Sequence, residues 1–385
     1  MIYLDYAANT PVDKEVLDYF YDISLKYYGN PNSVHKIGVE AKKIIDDSTK
    51  NIAKNLGVLP EEIIYTSGAT ESNNMVIKGV CERYRNKGKH IIVSSLEHNS
   101  IIASATYMQE KGFDVDLVPI TDKGLIDVEE LKKMIRDDTI LVSIVAVDSE
   151  IGLVQPIEEI GKLLKKYPNT LFHTDATQAI GKVTIDFSNV DLISFTPHKF
   201  YGIPGIGVLV KKKDVNLVPI IHGGKSTTIY RSGTPTTALI ASADIALDLA
   251  LKHQKERFKY VKELHDKVVD HLNQYNFIHI NSTKDSVPFT TNFSIKGVNS
   301  KDFAKLLEEK EVYVSTKTTC CPDNTPSKLV YALTKDKNLA STSLRISISH
   351  MTSKKEIEKF LKIFDECIKV LKDNGKIERN RTKYY

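Results

Sequence analysis

The sequence predicts an α/β fold in which a mostly parallel central sheet, with helices on both faces, is followed by a smaller α+β C-terminal domain. Short apolar runs alternate with helical patterns from about residue 60 to 211. A long helical stretch then covers roughly 236 to 275, and strands and helices follow in run-on order beyond about 276. Such alternation is typical of parallel strands joined by crossover helices.

The elements follow from hydrophobic periodicity. Helices are expected around 12–27 and 39–56. The expected strands of the large sheet are 62–66, 90–94, 115–119, 140–147, 171–174, 192–195 and 207–210, with helices at 71–85, 100–111, 128–135 and 157–166. The C-terminal part is expected to contain strands at 290–295, 312–315 and 344–348 and helices at 300–310 and 354–372.

Length and composition indicate the general class. A chain of 385 residues favours two domains, which we expect at 12–255 and 256–385, with residues 1–11 packing nearby and a frayed polar tail after 372. The net charge of +4 is too small and dispersed to indicate direct binding of nucleic acid. With no signal-peptide pattern and no run of about 18 apolar residues, we expect a cytoplasmic protein that does not enter the membrane.

Two charged residues follow neighbouring strands of the predicted sheet. Lys199 ends the run Asp191-Leu-Ile-Ser-Phe-Thr-Pro-His-Lys199, and Asp175 ends the run that begins at Leu171. Ligands of such sheets bind at the carboxyl ends of the strands. A lysine there can form a Schiff base with an aldehyde, and an aspartate can keep a pyridine nitrogen protonated, so the pair points to pyridoxal 5'-phosphate (PLP). Either residue alone is more often an ordinary surface residue.

A small-residue turn after the first strand of the sheet is a candidate phosphate site. The run Thr66-Ser-Gly-Ala-Thr-Glu-Ser72 opens a helix, so its backbone N–H groups lie at the positive end of the helix dipole. Thr70 adds a hydroxyl, and Thr196 and His198 can supply further donors. The motif alone is a weak signal, because Ser and Thr begin many helices for structural reasons.

Three further residues carry alternatives that the sequence leaves open. His98 can stack on a pyridine ring and move protons, or it can cap the helix after Ser100. Gln178, one short loop after Asp175, can hydrogen-bond a ring oxygen of the cofactor. Arg345, within an apolar strand, needs a partner, and either a substrate carboxylate or a structural Asp or Glu would fit its fork.

The four cysteines fall into two groups. Cys81 and Cys367 share helical faces with apolar residues and are predicted to be inert core thiols. Cys320 and Cys321 lie in a polar loop near Lys317, where a thiol is placed for reactivity. Their spacing does not suggest a four-ligand zinc site, and we expect no metal.

From residue 1 to about 372 the chain resembles the group I (NifS/IscS-type) cysteine desulfurases, PLP enzymes of fold type I in the class V aminotransferase-like family. Matching runs, in the same order as in the family, include Tyr3-Leu-Asp-Tyr-Ala-Ala-Asn-Thr-Pro11, His198-Lys199, Arg231-Ser-Gly-Thr234 and Ser343-Leu-Arg345. The other matching runs are 28–33, 66–72, 97–98, 150–156, 175–178 and 222–224.

The resemblance implies a role for each matching residue. Lys199 would carry the cofactor, Asp175 would pair with its pyridinium, and His98 would stack on the ring as acid and base. Arg345 would hold the substrate carboxylate, and Cys320 would be the nucleophile, with Cys321 an extra thiol. The other implied cofactor ligands are Gln178, Ala69, Thr70, Thr196, His198 and Ser149, together with Thr234, which would reach the phosphate of the other subunit.

Three segments depart from the family pattern. Lys317-Thr318-Thr319 stands where the family has Gly, Ser and Ala before the cysteine. Asp148-Ser149-Glu150 replaces Asn-Asn-Glu, so Ser149 puts a hydroxyl where an amide is usual near cofactor and substrate. Lys225-Ser-Thr-Thr228 replaces a glycine-rich run.

The implied activity is that of a homodimeric, PLP-dependent desulfurase. It would convert L-cysteine to L-alanine, form a persulfide on Cys320 and pass it to an acceptor, either an iron–sulfur scaffold protein or a tRNA-thiolation enzyme. Alternatives are a selenocysteine lyase, an aminotransferase, or a weakly active scaffold that binds sulfur acceptors. The loop cysteine argues against transamination. The retained lysine, aspartate, histidine and arginine argue against a scaffold; these are Lys199, Asp175, His98 and Arg345.

Overall fold

In a computed structural model, which describes residues 1–316 and 326–373, strands and helices alternate as the periodicity predicts. The strands are β1 (Ile2–Tyr3), β2 (Ile63–Thr66), β3 (His90–Ser94), β4 (Asp114–Val118), β5 (Thr139–Ser143), β6 (Leu171–Asp175), β7 (Leu192–Phe195), β8 (Gly207–Lys211), β9 (Ile278–Ile280), β10 (Thr290–Ile295), β11 (Val312–Tyr313) and β12 (Ser343–Ser347). The helices are α1 (Lys14–Lys26), α2 (Lys36–Leu56), α3 (Ala69–Tyr84), α4 (Asn99–Glu110), α5 (Val128–Met134), α6 (Ile157–Leu164), α7 (Thr237–Lys252), α8 (Gln254–Leu272), α9 (Ser300–Glu308), α10 (Lys328–Thr334), α11 (Lys337–Ser341) and α12 (Lys354–Asp373).

The large sheet is mostly parallel, which confirms the predicted fold class. Within the described residues it has seven strands in the order β2-β8-β7-β6-β5-β3-β4. Strands β4, β3, β5, β6 and β7 are parallel to their neighbours, whereas β8 runs antiparallel to both β7 and β2. The carboxyl ends of β2, β3, β5, β6 and β7 therefore lie along one edge, where such sheets bind ligands.

Both faces of this sheet are covered by helices. On one face Ile91 and Leu141 belong to a buried apolar cluster with Val80 of α3 and other residues of α3 and α4. On the opposite face Ile92 and Val142 belong to a larger cluster that includes residues of α6 and α7. Successive strand residues thus point to opposite faces, and burying each aliphatic side chain stabilises the fold by roughly 1.5–3 kcal/mol.

The C-terminal part of the chain forms a smaller antiparallel sheet. Its described strands follow the order β12-β10-β9, with Arg345 paired to Asn292. Helix α12 covers it with an apolar face, and the Phe364 ring lies 6.0 Å from Phe293 and 5.2 Å from Phe303 between centroids. Strand β1 pairs in parallel with β11, so the first residues lie beside this part. A domain boundary near residue 255 stays a prediction.

The long helical stretch expected at 236–275 is divided into two helices, α7 and α8. His253 stands between them with φ −99° and ψ 6°, outside the α-helical region. Its N–H still donates to Leu249 O at 3.2 Å, which ends α7 cleanly. Helix α7 is buried along most of its length, whereas α8 is buried on one face only. The break at His253 therefore lets the two helices pack in different directions.

Two kinds of feature are absent from the part of the chain that the structure describes. No helix there combines the length and the apolar character that crossing a bilayer requires. No group of three or more His, Cys, Asp or Glu side chains there is arranged to hold a metal ion.

Candidate active site

A cavity of about 400 Å³ lies at the carboxyl-terminal edge of the large sheet. It brings together most of the residues that the sequence predicts for the site: Ala69, Thr70, His98, Ser149, Asp175, Gln178, Thr196, His198, Lys199 and Arg345. Ala7 and Ala8 of the N-terminal segment also line this cavity. Thr234 lies elsewhere, and Cys320 and Cys321 fall outside the described residues.

The Lys199 amine reaches this cavity from a tight turn. Residues Pro197–Lys199 form a short 3-10 helix directly after β7, so the side chain is delivered at the strand end. The Nζ atom donates to the carbonyl oxygens of Ala7, at 3.2 Å, and of Ala8. These bonds hold the amine at the wall of the cavity.

The backbone after Lys199 is held in an unusual conformation. Tyr201 has φ 70°, a region that side chains other than glycine rarely adopt. Its N–H donates to Thr10 Oγ1 at 2.8 Å, and its hydroxyl lies 2.6 Å from Ser349 Oγ. The N-terminal segment and the region after β12 therefore fix the loop that carries the lysine.

The Asp175 carboxylate is the last residue of β6 and is only 4% exposed. Its Oδ2 accepts from Asn73 Nδ2 at 2.7 Å, and its Oδ1 accepts from the backbone N–H of Thr177 at 3.0 Å. Asp175 pairs in register with Ser194 of β7, which places the ends of the two strands side by side. Asp175 is thus a buried residue at the cavity, not an ordinary surface aspartate.

The start of α3 provides the candidate phosphate site. Gly68 occupies the N-cap and has no side chain to cap the first turn, so the amides of Ala69 and Thr70 lie at the positive helix end beside the cavity. The turn lies close against β8: a Cβ added at Gly207 would be 2.5 Å from the carbonyl carbon of Gly68. Glycine at 207 is therefore required for this approach.

Thr196 and His198 form a hydrogen-bonded pair at the same edge. Thr196 Oγ1 donates to Ile206 O at 2.8 Å and lies 2.9 Å from His198 Nδ1. Because the carbonyl can only accept, the hydroxyl proton goes to Ile206, and His198 Nδ1 donates to the hydroxyl. Burial, and then the charge of Lys199, lower the pKa of His198 to about 4, so its ring is neutral near pH 7.

His98 caps a helix and also lies at the cavity; stacking on a pyridine ring stays a prediction. Its Nδ1 accepts from the backbone N–H of Ser100 at 3.1 Å and caps α4, while the ring also lines the cavity. Glu97 lies next to it, fully buried, with Oε1 accepting from Val145 N at 2.6 Å and Ser94 Oγ at 2.8 Å. Burial raises the pKa of Glu97 to about 8. Nothing in the sequence beyond the Glu97-His98 pair pointed to this carboxyl.

Gln178 is fixed by two neighbours, one of which the sequence analysis missed. Its Nε2 donates to Ala7 O at 2.9 Å, and its Oε1 accepts from the amine of Lys182. Burial, followed by the charges of Lys199 and Arg345, lowers the pKa of Lys182 to about 7. Since an amine donates to Oε1, the amide must present Nε2 as its donor to the cavity side.

Of the two partners proposed for Arg345, the structure contains the one from its own chain. The side chain is 2% exposed, and Nη2 donates to Asp5 Oδ1 at 2.7 Å, so a structural carboxylate is present. Nη1 donates to Ser149 O at 2.7 Å. The Nε atom is buried and has no hydrogen-bond partner among the described residues, which leaves a donor for a substrate carboxylate. Asp5 was missed as a partner, although it lies in the run 3–11.

The departure at 148–150 has a structural explanation. The buried Asp148 carboxylate accepts from the backbone N–H groups of Glu150 at 2.9 Å, Ile151 at 2.7 Å and Leu153 at 2.7 Å. An amide has one acceptor oxygen where a carboxylate has two. Asp148 therefore builds the turn that sets Ser149 against Arg345.

Thr234 lies outside the cavity of its own chain. It lines a separate pocket of about 80 Å³ together with Arg231 and Ser67. Arg231 Nε lies 3.0 Å from Glu71 Oε1. Burial would raise the pKa of Glu71, but the hydrogen bonds from Arg231 and Ser67 outweigh it and lower the pKa. This ion pair ties the segment that carries Thr234 to α3, near the candidate phosphate site.

The cysteines that the structure describes are both buried, as predicted. Burial raises the pKa of Cys81 to about 12 and that of Cys367 to about 11. Neither thiol forms an appreciable amount of thiolate near pH 7, so neither is a nucleophile.

The residues around the cavity fit PLP. Lys199 offers an amine for the aldehyde, and Asp175 offers a buried carboxylate for the pyridine nitrogen. The start of α3 offers a binding site for the phosphate. The buried Nε of Arg345 offers an unused donor to an amino-acid carboxylate. Each group comes from a different element, yet all of these residues line one cavity.

Comparisons with known proteins agree with this geometry. Residues 2–360 match the family model Aminotransferase class-V. The chain is 36% identical over 376 residues to "Cysteine desulfurase IscS" of Dictyoglomus turgidum, an alignment that spans 96% of this chain and 95% of that protein. It is 37% identical over 379 residues to "Cysteine desulfurase, mitochondrial" of Arabidopsis thaliana, spanning 97% of this chain and 83% of that protein.

A solved structure described as a "NIFS-LIKE PROTEIN" superimposes with a TM-score of 0.91 at 35% identity, covering 96% of this chain and 100% of that chain. Another, "SspA in complex with cysteine", gives a TM-score of 0.80 at 32% identity, covering 90% and 99%. Fold, cavity and sequence agree over nearly the whole length, and the chain therefore belongs to the class V aminotransferase family, among the cysteine desulfurases of the IscS and NifS type.

Proposed function

We propose that this chain is a PLP-dependent cysteine desulfurase that converts L-cysteine to L-alanine and stores the released sulfur as a persulfide on Cys320. The observation that carries the proposal is the meeting of Lys199 and Asp175, at the ends of neighbouring strands, with Arg345 in one cavity. An amine, a pyridinium partner and a carboxylate-binding guanidinium are what PLP chemistry on an amino acid requires. The similarity to a solved complex with cysteine supports the choice of substrate.

The cofactor would be held by residues of the sheet edge. When bound, PLP supplies an electron sink for charge that develops on the substrate carbons. Lys199 would anchor it covalently, and Asp175 would accept a hydrogen bond from the pyridinium nitrogen. Ala69 and Thr70 would hold the phosphate. Thr196 would join them by turning its hydroxyl proton from Ile206 O to the phosphate, and His198, protonated beside the phosphate charge, would donate from Nε2. The Nε2 of Gln178 would donate to the ring oxygen.

The substrate would be oriented from the opposite side of the cavity. Arg345 would bind the α-carboxylate through Nε, while Asp5 and Ser149 O hold the rest of its guanidinium in place. The Ser149 hydroxyl would lie near cofactor and substrate. His98 would move a proton at Nε2, since its Nδ1 already accepts from the backbone.

Sulfur transfer would balance without an external oxidant. The Cys320 thiolate would attack the substrate sulfur, so that an S–S bond forms and the Cβ–S bond breaks. The electron pair of the broken bond stays on carbon, which takes a proton and becomes the methyl group of alanine. The two electrons that the sulfurs lose on forming the S–S bond reduce this carbon, and the enzyme is left as a persulfide.

The proposal includes a homodimer, a cytoplasmic location and an acceptor for the sulfur. Thr234 lies outside the cavity of its own chain, which supports a role at the phosphate of a second subunit. The acceptor would be an iron–sulfur scaffold protein or a tRNA-thiolation enzyme. Light scattering on PLP-loaded protein tests the dimer, and a monomer that holds PLP tightly would contradict it.

The decisive experiment compares Cys320→Ser with Cys321→Ser, a matched neighbour that makes the same chemical change. With L-cysteine and PLP, we expect Cys320→Ser to eliminate sulfide release and Cys321→Ser to retain most of it. Mass spectrometry should find the extra sulfur on the peptide when Cys320 is present. Sulfide release that survives in Cys320→Ser and disappears in Cys321→Ser would reverse the assignment, and equal partial loss would indicate a persulfide shared by exchange.

The unaltered enzyme distinguishes desulfuration from transamination. We expect alanine and sulfide in equal amounts, in the presence of a thiol reductant and without any added 2-oxo acid. An absolute need for a 2-oxo acid, with no sulfide formed, would identify an aminotransferase instead.

A further inference from the structure

A buried hydrogen-bonded chain connects Asp175 to His98 through two side chains to which the proposed mechanism gives no role. Asn73 Nδ2 lies 2.7 Å from Asp175 Oδ2 and 2.9 Å from Ser100 Oγ. Ser100 Oγ in turn lies 2.9 Å from His98 Nδ1. Asn73 and Ser100 are both buried, at 0% and 8% exposure, so water does not compete for these bonds.

The direction of every bond in this chain follows from its Asp175 end. If Asp175 is ionised opposite a pyridinium, as the proposed function requires, its oxygens can only accept hydrogen bonds. The atom of Asn73 that faces it must then be the nitrogen, and the second hydrogen of that nitrogen points to Ser100 Oγ. The Ser100 hydroxyl accepts from Asn73 and donates its own proton to His98 Nδ1, because Nδ1 already accepts a backbone N–H and therefore carries no proton.

The same logic fixes the tautomer of His98. Its Nδ1 receives the Ser100 hydroxyl proton and also the backbone N–H of Ser100, at 3.1 Å. A nitrogen that accepts cannot carry a proton, so the proton of the neutral ring must be on Nε2. Since Nδ1 is engaged by α4, Nε2 is the ring nitrogen left for the cavity.

Asn73 has a buried polar atom without a hydrogen-bond partner, and the arrangement explains why an asparagine is present. Its Oδ1 is buried without a hydrogen-bond partner among residues 1–316 and 326–373, which is unfavourable for a carbonyl oxygen. A leucine of similar volume would remove that cost. Among neutral side chains, however, only an amide offers two N–H groups from one atom, one for Asp175 and one for Ser100.

We propose that Asn73 and Ser100 are positioning residues that link the charge of Asp175 to His98 and hold the neutral His98 ring with its proton on Nε2. The neutral ring then presents its Nε2–H to the cavity as a hydrogen-bond donor. The inference rests on the proposed function, because that function requires the ionised Asp175 from which the chain takes its direction.

The kinetic test uses Ser100→Ala, Asn73→Leu and the double variant. Each single variant should lower kcat about five- to tenfold, as loss of one buried hydrogen bond would, with KM for cysteine changed by less than about twofold. Because the two side chains act in one chain, the double variant should be no slower than the slower single variant. Ser104→Ala, one turn further along α4 and equally buried, is the matched control and should keep normal kinetics. Ser100→Thr, which keeps a hydroxyl, should restore kcat.

Multiplicative losses in the double variant would overturn the proposal, as would a loss of thermal stability with unchanged kcat. A second measurement needs no turnover: nitrogen-15 NMR of histidine-labelled protein, with the His98 signals identified by their absence in His98→Gln. We expect an unprotonated Nδ1 and a protonated Nε2, and a proton on Nδ1 would refute the tautomer. Failure of the unaltered enzyme to form alanine and sulfide would instead refute the proposed function, independently of this signal.

Discussion

The two ends of the cavity are constructed differently. At the cofactor end, Asp175, Lys199 and the start of α3 follow strands of a single sheet, and their spacing is set by the strand register. At the substrate end, Arg345 meets Asp5 and Ser149 across 340 and 196 residues of sequence. The first arrangement depends on backbone pairing, and the second depends on side chains of three separate segments. We therefore expect substitutions at the cofactor end to abolish chemistry and those at the substrate end to weaken binding.

The largest effect is expected for Lys199→Ala. Without the amine the cofactor loses its covalent anchor, so activity should fall by at least about 10³-fold, as for loss of a covalent catalyst. The visible absorbance of the PLP-loaded protein should be lost as well. Lys14→Ala, at an exposed position of α1, serves as the control. A lysine variant that still holds PLP in a borohydride-reducible linkage would contradict the role of Lys199.

At the substrate end, Arg345→Lys should raise KM for cysteine about 10- to 100-fold, with a smaller change in kcat. A lysine has one charged nitrogen and cannot bond Asp5, Ser149 O and a carboxylate together, a loss of about 1.4–2.8 kcal/mol. Asp5→Asn, which keeps the shape and removes the charge, should have a weaker effect of the same kind. Steady-state kinetics measure both variants. If kcat falls by a larger factor than KM rises, the substrate end is as important for chemistry as the cofactor end, and the proposed difference is wrong.

Burial at the cofactor end should also appear in the pH dependence of stability. The folded protein raises the pKa of Glu97 to about 8, so it favours the protonated carboxyl. The stability that this carboxyl contributes is fully present below the ordinary carboxyl pKa, and it is lost as the pH rises through 8. Glu97→Gln cannot ionise, so its stability relative to the unaltered protein should increase from pH 5 to pH 9 by at least about 1 kcal/mol.

Urea unfolding of both proteins at pH 5, 7 and 9 measures this difference. Glu129→Gln, at an exposed position in the first turn of α5, should show no such trend. A constant difference between Glu97→Gln and the unaltered protein over this range would show that the carboxyl is ionised throughout.

The smallest effect is expected for Ser149→Asn, which restores the family's usual amide. A hydroxyl offers one donor where an amide offers two, and exchanging one neutral hydrogen bond is worth about 1 kcal/mol. The change in kcat/KM should therefore be about tenfold or less. A change of several orders of magnitude would mean that residue 149 is as important for the chemistry as the residues at the cofactor end.

The same contrast explains what the sequence could and could not predict. Lys199 and Asp175 were predictable, because a residue at the end of a parallel strand must lie at the ligand edge of the sheet. The partner of Arg345 was not, because nothing local relates Asp5 to a strand 340 residues away. His98 admitted two interpretations: the structure confirms the helix cap, and the role at a cofactor ring stays a prediction for a residue that lines the cavity.

Local patterns also failed where packing decides the outcome. The apolar periodicity continues across His253, but α7 and α8 follow different surfaces and the helix breaks there. The bond from Asn73 to Ser100 joins two helices that the sequence separates by a strand. The residue types were visible in each case, and only the tertiary arrangement showed which of them meet.

The carbonyls of Ala7 and Ala8 that hold Lys199, and the Asp5 carboxylate that holds Arg345, have a consequence for the synthesis of the protein. The segment that contains Ala7 and Ala8 forms one wall of the cavity, and it is synthesised long before β11 and β12, beside which it lies. Contacts across such sequence distances form late in folding. Although the large sheet can assemble while translation continues, the pocket is complete only after Arg345 has emerged. Firm retention of the cofactor should therefore be a property of the finished chain, and newly made protein should pass through a folded but empty stage.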